Sequence, residues 1–188
     1  MPITTIDPKT ALVVIDLQST IAQLPAVHPF DEVLGNAVTL ADAFRARNLP
    51  VVLVNVGGRA TGRTDQTGGQ PAGKMDLPDG WSDLLPALNQ QPTDKIVTKY
   101  TWGAFHNTGL AEHLEELGVT QVVICGVATS MGVESTARQA HEHGFHVTLA
   151  IDAMTDTRLE AHENSVTRIF PALGETGTTA DVLAQLSA

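Results

Sequence analysis

The stretch Ile124-Cys125-Gly126-Val127-Ala128-Thr129-Ser130-Met131-Gly132-Val133-Glu134-Ser135-Thr136-Ala137-Arg138 decides the fold of this chain. The apolar run Val122–Cys125 stops at Gly126, and a segment of helical character continues through Ala137, Ala140 and His141. A strand, a turn of small residues and a helix in succession aim backbone N–H groups and the positive end of a helix dipole at one point. In an open parallel sheet that point lies at the carboxyl ends of the strands, where ligands bind. A small-molecule site is therefore expected here.

The segments on either side repeat the pattern. Thr10–Ile15 is an apolar, β-branched run without alternation, as suits a strand buried on both faces, and it ends at Asp16. Gln18–Pro29 is a connection, and apolar residues at Val33, Ala37, Leu40, Ala41 and Phe44 predict a helix over Asp31–Arg47, with Asp31 as its cap. Val51–Val56 reads as a second strand, Trp81–Leu88 as a short helix and Lys95–Lys99 as a third strand. Gly109–Leu117 is amphipathic and closes at Gly118, Thr120–Cys125 is strand four, and the helix Ser130–His143 ends at Gly144. Phe145–Ile151 is strand five. A helix over Glu160–Phe170, a short strand near Glu175–Thr176 and a helix from Thr179 follow. This alternation predicts one domain over residues 1–188, an α/β/α sandwich on a parallel sheet with right-handed crossovers.

Composition narrows the function classes. The chain has 188 residues, 43% hydrophobic and 17% charged, with a net charge of −10, which leaves no basic surplus for nucleic acid or anionic lipid. One cysteine forms no internal disulfide, and the first residues carry no basic region followed by an apolar run, so a cytoplasmic location is expected. No apolar segment is long enough to predict a membrane span. Gly57–Gly80 is a long glycine-rich loop of the kind that serves as a lid or contact surface. Within it, Gly68–Met75 resembles a phosphate-binding loop but lacks the Ser or Thr after Lys74 and is interrupted by Pro71, so nucleotide binding is not expected.

Three features fall at strand ends on one rim: Asp16, Lys99 and the turn Gly126–Gly132. Singly, Asp16 also reads as a cap and Lys99 as a solvated charge; together they favour a site. Cys125, the one thiol, precedes the turn and reads as a small buried hydrophobe.

Val14-Ile15-Asp16-Leu17-Gln18, Lys99-Tyr100-Thr101-Trp102-Gly103-Ala104-Phe105 and Gly126–Ala137 together resemble the isochorismatase-like hydrolase superfamily, over nearly the whole chain. The resemblance implies a Rossmann-like, six-stranded parallel sheet of order 3-2-1-4-5-6, a cis peptide between Val127 and Ala128, and dimers or larger homo-oligomers. Amidase members use an Asp–Lys–Cys triad; Asp16 and Lys99 match its first two members, whereas the cysteine position is Gly132. That pattern resembles the branch that hydrolyses a vinyl ether without an enzyme nucleophile, with Asp16 as general acid, Lys99 as electrostatic partner and Gly132 as the gap admitting substrate. A general acid must hold its proton, so burial has to raise the Asp16 pKa against the pull of Lys99.

Gln18, Trp102, Phe105, Val127, Ala128, Thr129 and Met131 are the candidate substrate-binding residues, although Trp102, Phe105 and Met131 read equally as core packing. The substrate is expected to be a small, anionic molecule. Relatives of that branch often carry an arginine where Thr101 stands, and Arg59 and Arg63 are alternative sources of positive charge. No cofactor and no metal are expected: Asn55–Arg59 holds no histidine, and His141, His143 and His146 straddle a helix end and a strand start. A divergent amidase using water held by Asp16 and a non-catalytic binding homologue are the alternatives.

Overall fold

A computed structural model describes residues 1–58, 63–65 and 77–187. Arg59, the Gly68–Met75 stretch and most of the glycine-rich loop lie outside the described residues. Six parallel strands form one sheet: β1 (Thr10–Ile15), β2 (Val51–Val56), β3 (Lys95–Lys99), β4 (Gln121–Val127), β5 (His146–Thr155) and β6 (Glu175–Gly177), in the order β3-β2-β1-β4-β5-β6. This is the expected sheet. β1 is completely buried along its length, which is why its sequence carries no alternation.

The helices are α1 (Phe30–Arg45), α2 (Leu110–Glu116), α3 (Glu134–Glu142), α4 (Leu159–Asn164), α5 (Phe170–Leu173) and α6 (Thr179–Leu186). They divide the core in two. On one face Ala11, Val13, Ile15, Val52 and Ile124 pack with Leu110, Leu114, Ala137 and Phe170. On the other, Leu12, Val14, Leu53, Val123 and Cys125 pack with Leu40, Phe44 and Val182.

The structure corrects several expectations. Asp31 does not cap α1; Pro29 holds that position without a side-chain cap, and Asp31 lies in the first turn, where its charge suits the dipole. Trp81–Leu88 is not a helix: only Pro86–Leu88 makes a single 3₁₀ turn, because the preceding residues are drawn into backbone bonds with the connection after β1. Strand β5 runs on to Thr155 rather than stopping at Ile151, since its pairing with β4 skips from Leu149 to Met154 across an irregularity. The helices after β4 and β5 begin or continue through single π turns, Thr129–Val133 and Ser165–Ile169.

Gly126 is where the backbone is tightest. It pairs with Ile15 at φ +116°, and a Cβ there would run into the Ile15 carbonyl oxygen and amide nitrogen. The approach brings the turn after β4 against the end of β1. Gly126→Ala is expected to cost roughly 3 kcal/mol or more, from forbidden dihedrals plus the steric clash. Urea unfolding checks this, and a loss below about 1 kcal/mol would contradict the packing described.

Candidate active site

The end of β1 turns sharply. Asp16 has φ +51°, a conformation uncommon for a residue with a side chain, and it is held there by Asp16 N–H donating to Val54 O at 2.9 Å and Gln18 N–H donating to Asp16 O at 2.9 Å. Lys99 closes β3, one strand beyond β2, and its long side chain spans the end of β2. Its ammonium donates to Asp16 Oδ2 at 2.7 Å and to Thr101 O at 3.3 Å. Both partners are almost sealed from water, Asp16 at 6% exposure and Lys99 at 2%. Asp16 Oδ1 is buried and makes no hydrogen bond among the described residues.

Burial pushes the Asp16 carboxyl up to about 6, against the opposing pull of the Lys99 ammonium. The folded protein thus holds this proton more tightly than the unfolded chain does. The resulting stabilisation is complete below the ordinary 3.8 and is lost as pH rises through about 6.

The third element arrives from β4. A Cβ built on Gly132 would lie 2.9 Å from Ile15 Cγ2, 3.2 Å from Asp16 Oδ2 and 3.4 Å from Val127 O. Gly132 therefore faces the same carboxylate oxygen that Lys99 binds. The Val127–Ala128 peptide that opens the turn is cis. Met131 and Val133 amides both donate to Ala128 O, at 3.0 and 3.2 Å.

Cys125 does not take part. It is completely buried in the α1 side of the core, and burial together with Asp152 pushes its thiol up to about 12. A thiol so placed is inert.

The expected binding residues divide. Val127, Ala128 and Met131 lie on the turn next to Gly132. Trp102 is half-exposed beside the site loop, and Tyr100, more exposed still, lies over Gly57 and Gly58. Three of the expected residues are engaged by the protein itself. Phe105 is buried in the core against the rings of His143 and Phe145, at the opposite end of β5 from the site rim. Gln18 spends its amide on the protein: Nε2 donates to Trp81 O, Val56 O and Thr20 Oγ1, while Oε1 accepts from Val56 N–H. Thr129 is fully buried, and its hydroxyl bonds to His162 Nδ1 at 2.8 Å. Arg63 is exposed.

Sequence reasoning missed the residues that hold the turn from behind. Asp156 Oδ2 accepts from both Ser130 N–H and Ser130 Oγ at 2.8 Å, and its Oδ1 accepts from Thr157 N–H. His162 bonds Thr129 and packs against His28, with ring centroids 4.5 Å apart. The available signal is positional: Asp156 follows the end of β5 as Asp16 follows the end of β1, but no local apolar pattern marks that β5 extends to Thr155. Among the described residues, no three histidine, cysteine or acidic side chains converge to hold a metal ion, and no helix is long and apolar enough to cross a membrane.

Removing one partner of the buried ion pair strands the other. Lys99→Met is expected to destabilise the protein by about 3 kcal/mol at pH 8, where Asp16 loses its partner and must either stay a bare buried carboxylate or take up a proton against the pH. The loss should shrink by pH 5, where that carboxyl is protonated. Equal losses at both pH values, read from chemical denaturation, would contradict the pairing.

The geometry agrees with what the chain is similar to. A family model described as the isochorismatase domain matches residues 10–181. The uncharacterized isochorismatase family protein YwoC of Bacillus subtilis is 39% identical over 182 residues, 95% of this chain and 94% of its own length. Nicotinamidase 3 of Arabidopsis thaliana is 32% identical over 157 residues, covering 81% of this chain and 76% of its own. The solved structure of an isochorismatase family protein from Burkholderia thailandensis superimposes with a TM-score of 0.85 at 41% identity, covering 98% of each chain. The chain belongs to the isochorismatase family of hydrolases.

Proposed function

We propose that this hydrolase cleaves a vinyl ether in a small anionic metabolite, with isochorismate as the representative substrate, using Asp16 as general acid and water as the nucleophile. One observation carries the reading. Gly132 faces the Asp16–Lys99 pair without a side chain, while the chain's one thiol, Cys125, is buried in the core and pushed up to about 12. Covalent amide hydrolysis needs a reactive thiolate at such a point, and none is supplied.

The chemistry fits a carboxyl that keeps its proton. Asp16, pushed up to about 6, delivers that proton to the methylene carbon of the enol ether. The resulting oxocarbenium ion is attacked by water. The hemiketal collapses to pyruvate and a ring alcohol, and the proton released in water addition restores the acid. Lys99 holds Oδ2 in a charge-assisted bond, leaving Oδ1 as the oxygen to carry the proton. The bare backbone at Gly132 lets the turn close to within contact of Ile15 and Asp16 Oδ2. Val127, Ala128 and Met131 form the backbone cradle, and half-exposed Trp102 supplies an apolar flank.

The assay is direct. Purified protein supplied with isochorismate releases pyruvate, and Asp16→Asn loses at least about a hundredfold in rate, as expected for removal of a general acid. With the native protein, the rate should fall as pH rises above about 6, following loss of the Asp16 proton. Cys125→Ala retains native turnover. Absence of pyruvate release, or full activity in Asp16→Asn, overturns the proposal.

A further inference from the structure

Two consecutive amides of the loop after β3 are captured by side chains of α3. Ala104 N–H donates to Thr136 Oγ1 at 3.1 Å, and Phe105 N–H donates to Gln139 Oε1 at 3.0 Å. Thr136 then passes its own hydroxyl proton forward, donating to Gly132 O at 2.6 Å. The two side chains are three residues apart, so they project from one face of α3. The loop lies so close to that face that a Cβ on Gly103 would collide with the Gln139 amide.

The hydroxyl of Thr136 thereby joins two segments that meet at Asp16. One is the turn carrying Gly132, which faces Asp16 Oδ2. The other is the loop that starts at Lys99, whose ammonium bonds that same oxygen and also Thr101 O within the loop. A threonine bonding the carbonyl four residues earlier is ordinary local helix behaviour. Accepting an amide proton from a separate segment is not. Thr136 is completely buried, so nothing else replaces either bond if the hydroxyl is removed.

We propose that Thr136, seconded by Gln139, is a positioning residue that fixes the loop following Lys99, whose Thr101 carbonyl accepts from the Lys99 ammonium, against the turn bearing Gly132 and so sets how closely that ammonium approaches Asp16. The proposal deepens the reading of Asp16 as proton donor and rests on it for its catalytic meaning.

The test is a carbon-13 NMR titration of the Asp16 carboxyl in the full-length native protein and in Thr136→Val, Thr136→Ser and Gln139→Met. Valine preserves the shape of threonine and loses both hydrogen bonds. Its Asp16 midpoint is expected to rise by roughly half a pH unit or more, because the cation that lowers it is no longer held close. Thr136→Ser keeps the hydroxyl and should titrate with the native protein. Gln139→Met frees only the Phe105 amide and should shift the midpoint in the same direction by less; it carries the test if Thr136→Val does not fold. A residue that merely packs would lower the melting temperature without moving the carboxyl. An unshifted midpoint in every folded variant of the Val and Met pair, or a serine variant shifted as far as valine, overturns the proposal. The titration needs no substrate, so a native protein that releases no pyruvate would sink the proton-donor reading and leave this result standing on its own.

Discussion

The contact on which the site depends is the 2.7 Å bond between Lys99 Nζ and Asp16 Oδ2, made almost out of reach of water. Burying two charges is costly, and the attraction between them offsets that cost only when the geometry is close and further bonds satisfy the ends. The fold supplies that geometry through its strand order. β2 separates the two residues, so the acid on β1 and the lysine on β3 meet only because a lysine side chain is long enough to pass over the end of β2. The bare backbone of Gly126 lets β4 close on β1 from the other side, and Gly132, also without a side chain, then packs close to the same carboxylate.

Balance at this pair sets how firmly the Asp16 carboxyl holds its proton. Full exposure would leave Asp16 ionised, and burial without Lys99 would hold its proton too firmly to give it up. Burial outweighs the ammonium, and the midpoint comes to about 6. Asp156 and His162 hold the turn from behind, through Ser130 and Thr129, so the position of Gly132 is supported by bonds that leave the site face untouched.

The sheet was legible because buried parallel strands write themselves as near-continuous apolar runs, and Ala11–Ile15, Val51–Val54 and Val122–Cys125 do so. Asp16 and Lys99 stood out as polar residues at the ends of the first and third strands, and Gly132 through the family resemblance, as the position where amidase members carry cysteine. What escaped depended on contacts between distant segments. Strand β5 continues past Ile151 because its irregular pairing with β4 absorbs the extra residues, and no local pattern announces that. Gln18 and Phe105 stand next to site residues in sequence, yet one is consumed by Val56 and Trp81 and the other by the packing of Phe145 and His143. Adjacency along the chain says little about which way a side chain turns once φ at Asp16 becomes positive. The role of Thr136 was equally hidden, since its value lies in a loop more than 30 residues away.

The central claim is that water attacks the enolpyruvyl carbon of a protonated vinyl ether and that the ring carbon–oxygen bond stays intact. Hydrolysis of isochorismate in water enriched in oxygen-18, followed by mass analysis of the ring diol, tests it most directly. The account predicts a ring product free of the heavy isotope, because its hydroxyl oxygen is the original ether oxygen. Oxygen-18 on the ring would place the attack at the ring carbon and contradict the mechanism.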